Sequence, residues 1–317
     1  MSSDHAPRSQ TRPETAPETA PETAPEILCI GSVLWDIIGR APAHMRAGSD
    51  VPGRIISLPG GVAMNIAMTL ARFGMRPAVL TAIGRDSQGE DLIKAARGLG
   101  VECDYAYRSE DLPTDRYMAI EGANGLIAAV ADAHSLEAAG EKILRPLFDG
   151  TLGSEAAPWR GPIALDGNLT TGLLGEIARA PEFAQADLRV APASPGKAER
   201  LGVLMTHPRA TLYVNLEEAG ILCQSEFSDA ASAAEGLLAR GARRVLVTDG
   251  GKAAADGAAE GVITSAPPPV LVTRVTGAGD TFMAAHLVAE TRGAPRAEAL
   301  ERALTAAARY VSGDIHT

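Results

Sequence analysis

The chain has 317 residues, 46% of them hydrophobic, with 29 basic and 39 acidic side chains and a formal charge of −10. This is enough apolar material for one large core, and the acidic balance argues against a basic nucleic-acid-binding face. Cys29, Cys103 and Cys223 are too scattered for a disulfide framework or a zinc site. No uncharged run is long enough to span a membrane, and the polar N-terminus carries no export signal, so a cytoplasmic protein is expected.

Residues 1–26 contain three Pro-Glu-Thr-Ala units, Pro13–Ala16, Pro17–Ala20 and Pro21–Ala24. With many prolines and almost nothing apolar to bury, they predict a disordered or extended tail. Ile27-Leu28-Cys29-Ile30-Gly31 predicts a buried strand, and Asp36 is expected in the loop beyond its carboxyl end, where open α/β sheets bind polar ligands. Arg54–Leu58 predicts an edge strand. Pro59-Gly60-Gly61 then opens a helix running to Phe73, with Val62, Ile66 and Leu70 on one face. Asn65 sits in its second turn, where an amide reaches a hydroxyl-rich ligand or serves as a cap or core hydrogen-bond partner.

Ala78–Ile83 predicts a strand, and Asp86 the N-cap of a helix ending near Leu99. Residues 101–131 alternate short apolar runs with turns, and Asn124-Gly125 marks a hairpin. Together with residues 37–58 they predict a small antiparallel sheet that acts as a lid. Beyond it, strands are expected at Pro162–Asp166, Asp187–Ala191 and Thr211–Asn215, with helices at Thr171–Ala180, Lys197–Met205 and Asp229–Ala239. Asn215 and Glu218 are one helical turn apart. That spacing fits either a pair that holds water around Mg²⁺ on triphosphate oxygens or a capping pair. Val245–Thr248 predicts another buried strand, ending in the polar turn Asp249-Gly250-Gly251.

Thr276-Gly277-Ala278-Gly279-Asp280 follows, leading into a helix to Thr291 and a last helix over Arg296–Ser312. A helix start offers unpaired N–H groups and a positive dipole end, and small residues let an anion approach. A carboxylate beside such a cradle suits phosphoryl transfer to an alcohol: the backbone stabilises the moving charge and Asp280 takes the hydroxyl proton. A pure binding protein has no need of that base. Neither a Walker-type loop nor a G-x-G-x-x-G turn occurs.

Pro59-Gly60-Gly61 with Asn65, followed far downstream by Thr276-Gly277-Ala278-Gly279-Asp280-Thr281, resembles the ribokinase-like (PfkB) family of sugar and nucleoside kinases. The runs Pro52-Gly53-Arg54, Pro113-Thr114, Asp166-x-Asn168 and Pro192-x-Ser194-x-x-Lys197 are similar to the family's pseudouridine kinase subgroup. The resemblance implies a three-layer α/β/α doubly wound sheet with a small antiparallel lid, and a kinase domain over residues 27–317. It implies ATP and Mg²⁺ as cofactors, a ribosyl acceptor phosphorylated at its 5′-hydroxyl, and a homodimer formed through the lid. It assigns Asp280 as base and Gly277, Ala278 and Gly279 as anion hole. Asn215, Glu218, Thr248, Gly250 and Thr276 fall to the nucleotide, with Glu218 near Mg²⁺ through water. Asp36, Gly60, Gly61 and Asn65 fall to the acceptor. Arg274 stands where the family usually carries Asp or Asn. A guanidinium there repels a monovalent cation such as K⁺, unless it turns away, or else it adds to phosphate binding. Met64, Val51 and Ala191 also replace residues usual in the family or the subgroup.

Overall fold

The computed structural model describes residues 24–46, 48 and 50–314; the predicted tail falls almost wholly outside them. In chain order the elements begin β1 (Ile27–Ile30), β2 (Leu34–Arg40), β3 (Arg54–Gly60), α1 (Val62–Arg72), β4 (Pro77–Leu80), β5 (Ala82–Gly84) and α2 (Ser87–Gly98). Next come β6 (Tyr107–Ser109), β7 (Arg116–Gly122), β8 (Gly125–Asp132), α3 (His134–Ala139), α4 (Arg145–Phe148), β9 (Pro162–Asp166), α5 (Thr171–Ile177) and β10 (Asp187–Ala191). The rest are β11 (Ala210–Asn215), α6 (Leu216–Cys223), α7 (Ala230–Ala239), β12 (Arg244–Thr248), β13 (Ala254–Ala258), β14 (Gly261–Ser265), α8 (Ala278–Thr291) and α9 (Arg296–Ser312).

The large sheet has the order β14-β13-β12-β11-β10-β9-β1-β4, with every pair parallel except those that β13 makes with β12 and β14. Its short central strands are apolar on both faces because both are covered. Leu28 and Ile30 of β1 enter one core cluster with α5 and α7, while Ile27 and Cys29 enter the other with α1 and α8. The chain leaves β1 for β4 on one side and returns to β9 on the other. That reversal opens a crevice beyond the carboxyl ends of β1 and β9, the place where such sheets bind ligands.

The second sheet, in the order β3-β2-β7-β8, stands over this crevice. Its outer pairs are antiparallel, but its central pair, β2 with β7, runs parallel. The lid strands are 34–40, 54–60, 116–122 and 125–132, so the expected lid segments 37–58 and 101–131 need correction. Tyr107–Ser109 pairs with β5 on the body instead, and Thr114 hydrogen-bonds Asp86 at the start of α2. Asp36 is likewise not a loop residue but a residue of lid strand β2. At the hairpin the turn residues are Ala123 and Asn124. Gly125 follows with φ 90°, a left-handed position open to glycine, and the hairpin expected from Asn124-Gly125 is formed. The helix expected at Lys197–Met205 is 3₁₀ over Pro195–Leu204, where Pro195, Gly196 and Gly202 disfavour a regular α-helix.

Candidate active site

Between lid and sheet lies a cleft of about 2690 Å³, lined by Asp36, Asn65, Asn168, Glu218, Thr248 and Asp280 among others. A single small ligand usually occupies roughly 300–1,000 Å³, so this cleft has room for two substrates side by side.

Its floor is tied across the crevice by one carboxylate. Asp166, fully buried at the end of β9, accepts from Ser32 N at 2.7 Å, Ser32 Oγ at 2.6 Å, Ala63 N at 3.3 Å and Asn168 N. Asn168 Nδ2 returns a bond to Ser32 Oγ at 2.9 Å, and Lys197 Nζ donates to Asn168 Oδ1 at 2.5 Å. A buried carboxylate with this many donors is compensated for its desolvation, and it fixes the ends of β1 and β9 to the start of α1. Ser32 has no sequence motif of its own; its place directly after a strand-ending glycine was the available signal.

The start of α1 carries the expected double glycine for steric reasons. A Cβ on Gly60 would lie 2.0 Å from Asp36 Oδ2, and one on Gly61, whose φ is 93°, would lie 2.5 Å from Ser32 O. The absence of both side chains lets the lid carboxylate and the β1 loop close over the helix start. Asp36 faces the cleft beside Tyr117 and Leu58, and burial pushes its carboxyl up to about 6.

Asn65 and Asp280, 215 residues apart in the chain, meet here: Asn65 Nδ2 donates to Asp280 Oδ2 at 2.9 Å. Asn65 thus serves the carboxylate directly, and it lines the same cleft, its Oδ1 without a partner among the described residues. Asp280 is half-buried at the first turn of α8 and its carboxyl is pushed up to about 7. Burial is the main cause. The Asn65 hydrogen bond pulls the other way, and the charges of Asp166, Asp36 and Glu218 push further up.

The turn before α8 is open. No side chain caps the helix, Gly277 is the N-cap with φ 88°, and a Cβ on Gly279 would meet nothing within 4 Å. Among the described residues the N–H groups of Gly277, Gly279 and Asp280 have no backbone or side-chain acceptor. Ala278 differs from expectation: its N–H closes the turn on Val275 O at 3.0 Å, so it is not free for an anion. Thr276 lines the cleft, and its carbonyl accepts from Tyr310 OH at 2.9 Å.

On the other side of the cleft, Asn215 and Glu218 form a capping box. Asn215 Oδ1 accepts from Glu218 N at 2.9 Å and Glu218 Oε2 from Asn215 N at 2.8 Å. Of the two arrangements their spacing allowed, the capping pair is the one formed. Glu218 nevertheless lines the cleft, its Oε1 without a partner among the described residues, and burial pushes its carboxyl up to about 6. Thr248 pairs with Asn215 across β11 and β12, and Gly250, with φ 54° and open space around it, follows. Among the described residues no cluster of three or more His, Cys, Asp or Glu side chains forms a cage for a metal ion.

The chain is similar to the pseudouridine kinase of Escherichia coli (strain K12), 28% identical over an alignment of 294 residues that covers 86% of each chain. Among solved structures it is similar to a carbohydrate kinase from Agrobacterium tumefaciens, with TM-score 0.76, 28% identity and 93% of each chain covered. Its fold also matches Arabidopsis thaliana ribokinase complexed with ribose and ATP, with TM-score 0.71, 22% identity, and 91% of this chain and 93% of that one covered. The cleft sets the Asp280 carboxylate beside the uncapped start of α8. The pfkB family carbohydrate kinase model matches residues 24–313, and the chain belongs to that family.

Proposed function

We propose that the protein transfers the γ-phosphoryl group of ATP to the 5′-hydroxyl of a ribosyl compound, with pseudouridine as the acceptor. The observation that carries the reading is the Asn65–Asp280 contact beside the open turn: a carboxyl poised near 7 next to unpaired amides. Asp280 takes the proton as the acceptor oxygen bonds to the γ-phosphorus and the β–γ bridge bond breaks, releasing ADP. A base with its pKa near the working pH suits that transfer. The amides of Gly277 and Gly279 offer hydrogen bonds to the moving phosphoryl group.

Asp36 and Asn65 Oδ1 accept from sugar hydroxyls, and the Gly60-Gly61 turn lets the sugar approach. Asn215, Glu218, Thr248, Gly250 and Thr276 border the nucleotide. Mg²⁺ is carried mainly by phosphates and water, with Glu218, which lines the cleft, holding one such water. When bound, the ion neutralises phosphate charge. The lid excludes water that would otherwise compete as acceptor. Its outward-facing apolar side chains, among them Ile55 at 77% and Val130 at 67% exposure, support a homodimer joined through this sheet. Residues 27–317 form one kinase unit. No described helix is long and apolar enough to cross a membrane, and we place the enzyme in the cytoplasm, with ATP.

Two observations support pseudouridine: the E. coli relative's similarity spans 86% of both chains, and the subgroup-like residues Asn168 and Lys197 are in contact. The departure at Met64 lies in the core, away from any acceptor. Ala191, in contrast, lines the cleft, and this favours a second reading in which another nucleoside or a free sugar such as ribose, adenosine or fructose is the acceptor. ADP release with ATP and Mg²⁺ should be compared for pseudouridine, uridine, adenosine, ribose and fructose. The highest kcat/KM is expected on pseudouridine; turnover of ribose alone would overturn that choice.

A further inference from the structure

Three basic side chains line the cleft among the described residues: Arg40, Lys197 and Arg274. Arg40 is paired with Glu121 across the lid at 2.5 Å, and the Lys197 ammonium is held by Asn168. Among the described residues Arg274 has no carboxylate partner. Its Nε donates to Tyr310 O at 2.8 Å, and its guanidinium carbon lies 3.8 Å over the Tyr310 ring. Among the described residues its Nη2 has no hydrogen-bond partner. A guanidinium N–H without an acceptor is costly, and because Arg274 lines the cleft an anion bound there would supply one.

The platform under this guanidinium also holds the glycine turn. The Tyr310 hydroxyl donates to Thr276 O, and a Cβ on Gly277 would lie 2.5 Å from that hydroxyl. The N–H groups of Thr273 and Arg274 both donate to Val311 O, at 2.8 and 3.2 Å. One aromatic ring thus supports the turn at its hydroxyl end and the cation on its face. Ring stacking and the single Nε bond hold the guanidinium plane while leaving terminal N–H groups to bind elsewhere.

We propose that Arg274 is a further binding residue of the phosphate subsite, its guanidinium donating to an oxygen of the nucleotide's terminal phosphates beside the turn amides. This rests on the kinase reading above and settles on phosphate binding among the roles open to an arginine at this position. The chemistry fits: guanidinium is always charged, and its planar fork matches phosphate oxygens.

The test is titration of the full-length protein with ADP and with AMP, without acceptor, for wild type, Arg274→Met and Arg274→Lys. Arg274→Met is expected to weaken ADP binding by roughly ten- to a hundredfold, the range of a charge-assisted hydrogen bond, and AMP binding by less than about threefold. Arg274→Lys keeps the charge without the fork and should recover part of the ADP affinity. Unchanged ADP binding by Arg274→Met would overturn the proposal. So would equal losses for ADP and AMP, which mark a collapsed loop. If the Met variant does not fold, the ADP-to-AMP ratio of the Lys variant decides by the same comparison. Because no acceptor is present, a wrong acceptor assignment leaves this measurement intact.

Discussion

Asp280→Asn separates the chemical role of this carboxylate from its energetic cost. Burial and three neighbouring carboxylates lift the Asp280 carboxyl from 3.8 to about 7. The folded chain therefore keeps this proton longer than the unfolded chain, and stability falls as pH rises from about 4 to about 7. At roughly 1.4 kcal/mol per pH unit, the raised pKa costs up to about 4 kcal/mol at pH 8, where Asp280 is ionised, and less than about 2 kcal/mol at pH 5, where the folded chain holds its proton. Asparagine keeps the size and can still accept from Asn65, but it carries no charge and cannot take a proton. Urea denaturation at the two pH values should show the variant more stable than wild type, with the gap widening by about 2–3 kcal/mol from pH 5 to pH 8. In the same preparation, ADP release should fall by roughly 10²–10⁴-fold while nucleotide binding persists. A gap that does not widen refutes the electrostatic argument, and turnover within about threefold of wild type refutes the base.

Asn65→Ala removes the one neighbour that favours ionised Asp280, so the acid limb of kcat/KM should move to higher pH; an unmoved or acid-shifted limb contradicts the contact. Gly60→Ala drives a methyl into the Asp36 carboxylate and should raise acceptor KM by tenfold or more (roughly 1.4 kcal/mol) with nucleotide KM little changed, as steady-state kinetics would show. Ile55→Glu on the outer lid face should convert a dimer to monomer in sedimentation velocity; a wild type that sediments as a monomer disposes of that interface. With Arg274 fixed on Tyr310, replacing K⁺ by tetramethylammonium should leave turnover unchanged, and strong activation by K⁺ would contradict this.

What could be read from the sequence was what the local backbone requires. Glycines at Gly60, Gly61 and Gly277 mark close approaches and a left-handed position, and the apolar runs of β9, β10 and β12 have the length and composition of buried strands. Pairings across the fold were not legible. Asn65 and Asp280 are each ordinary first- or second-turn residues until the fold brings them together, and Ser32 meets Asp166 across 134 positions. A three-residue strand such as Tyr107–Ser109 is too short to show a period, so its pairing with the body, not the lid, had no local signature. Asn215 and Glu218 show a different limit: one spacing suits both a capping box and a water-holding pair, and only the two reciprocal bonds reveal which is formed.

The same carboxylates also explain why Asp280 is poised near neutrality. Asp166 is consumed structurally by its donors, Asp36 is placed on the lid by the space over Gly60, and Glu218 caps α6. None of the three touches Asp280 through a hydrogen bond, yet the charge of each pushes its pKa upward, and Asn65 alone among the named neighbours opposes them. The raised pKa of Asp280 therefore depends on the burial and the carboxylates that this cleft brings together. Lid opening that carries Asp36 away removes both its charge and part of the burial, so Asp280 should become a weaker base in the open enzyme. Replacing Asp36 with Asn should mimic half of that change by lowering the kinetic pKa without opening the lid. A kinetic pKa that rises in Asp36→Asn would show that the field of these carboxylates does not set the base.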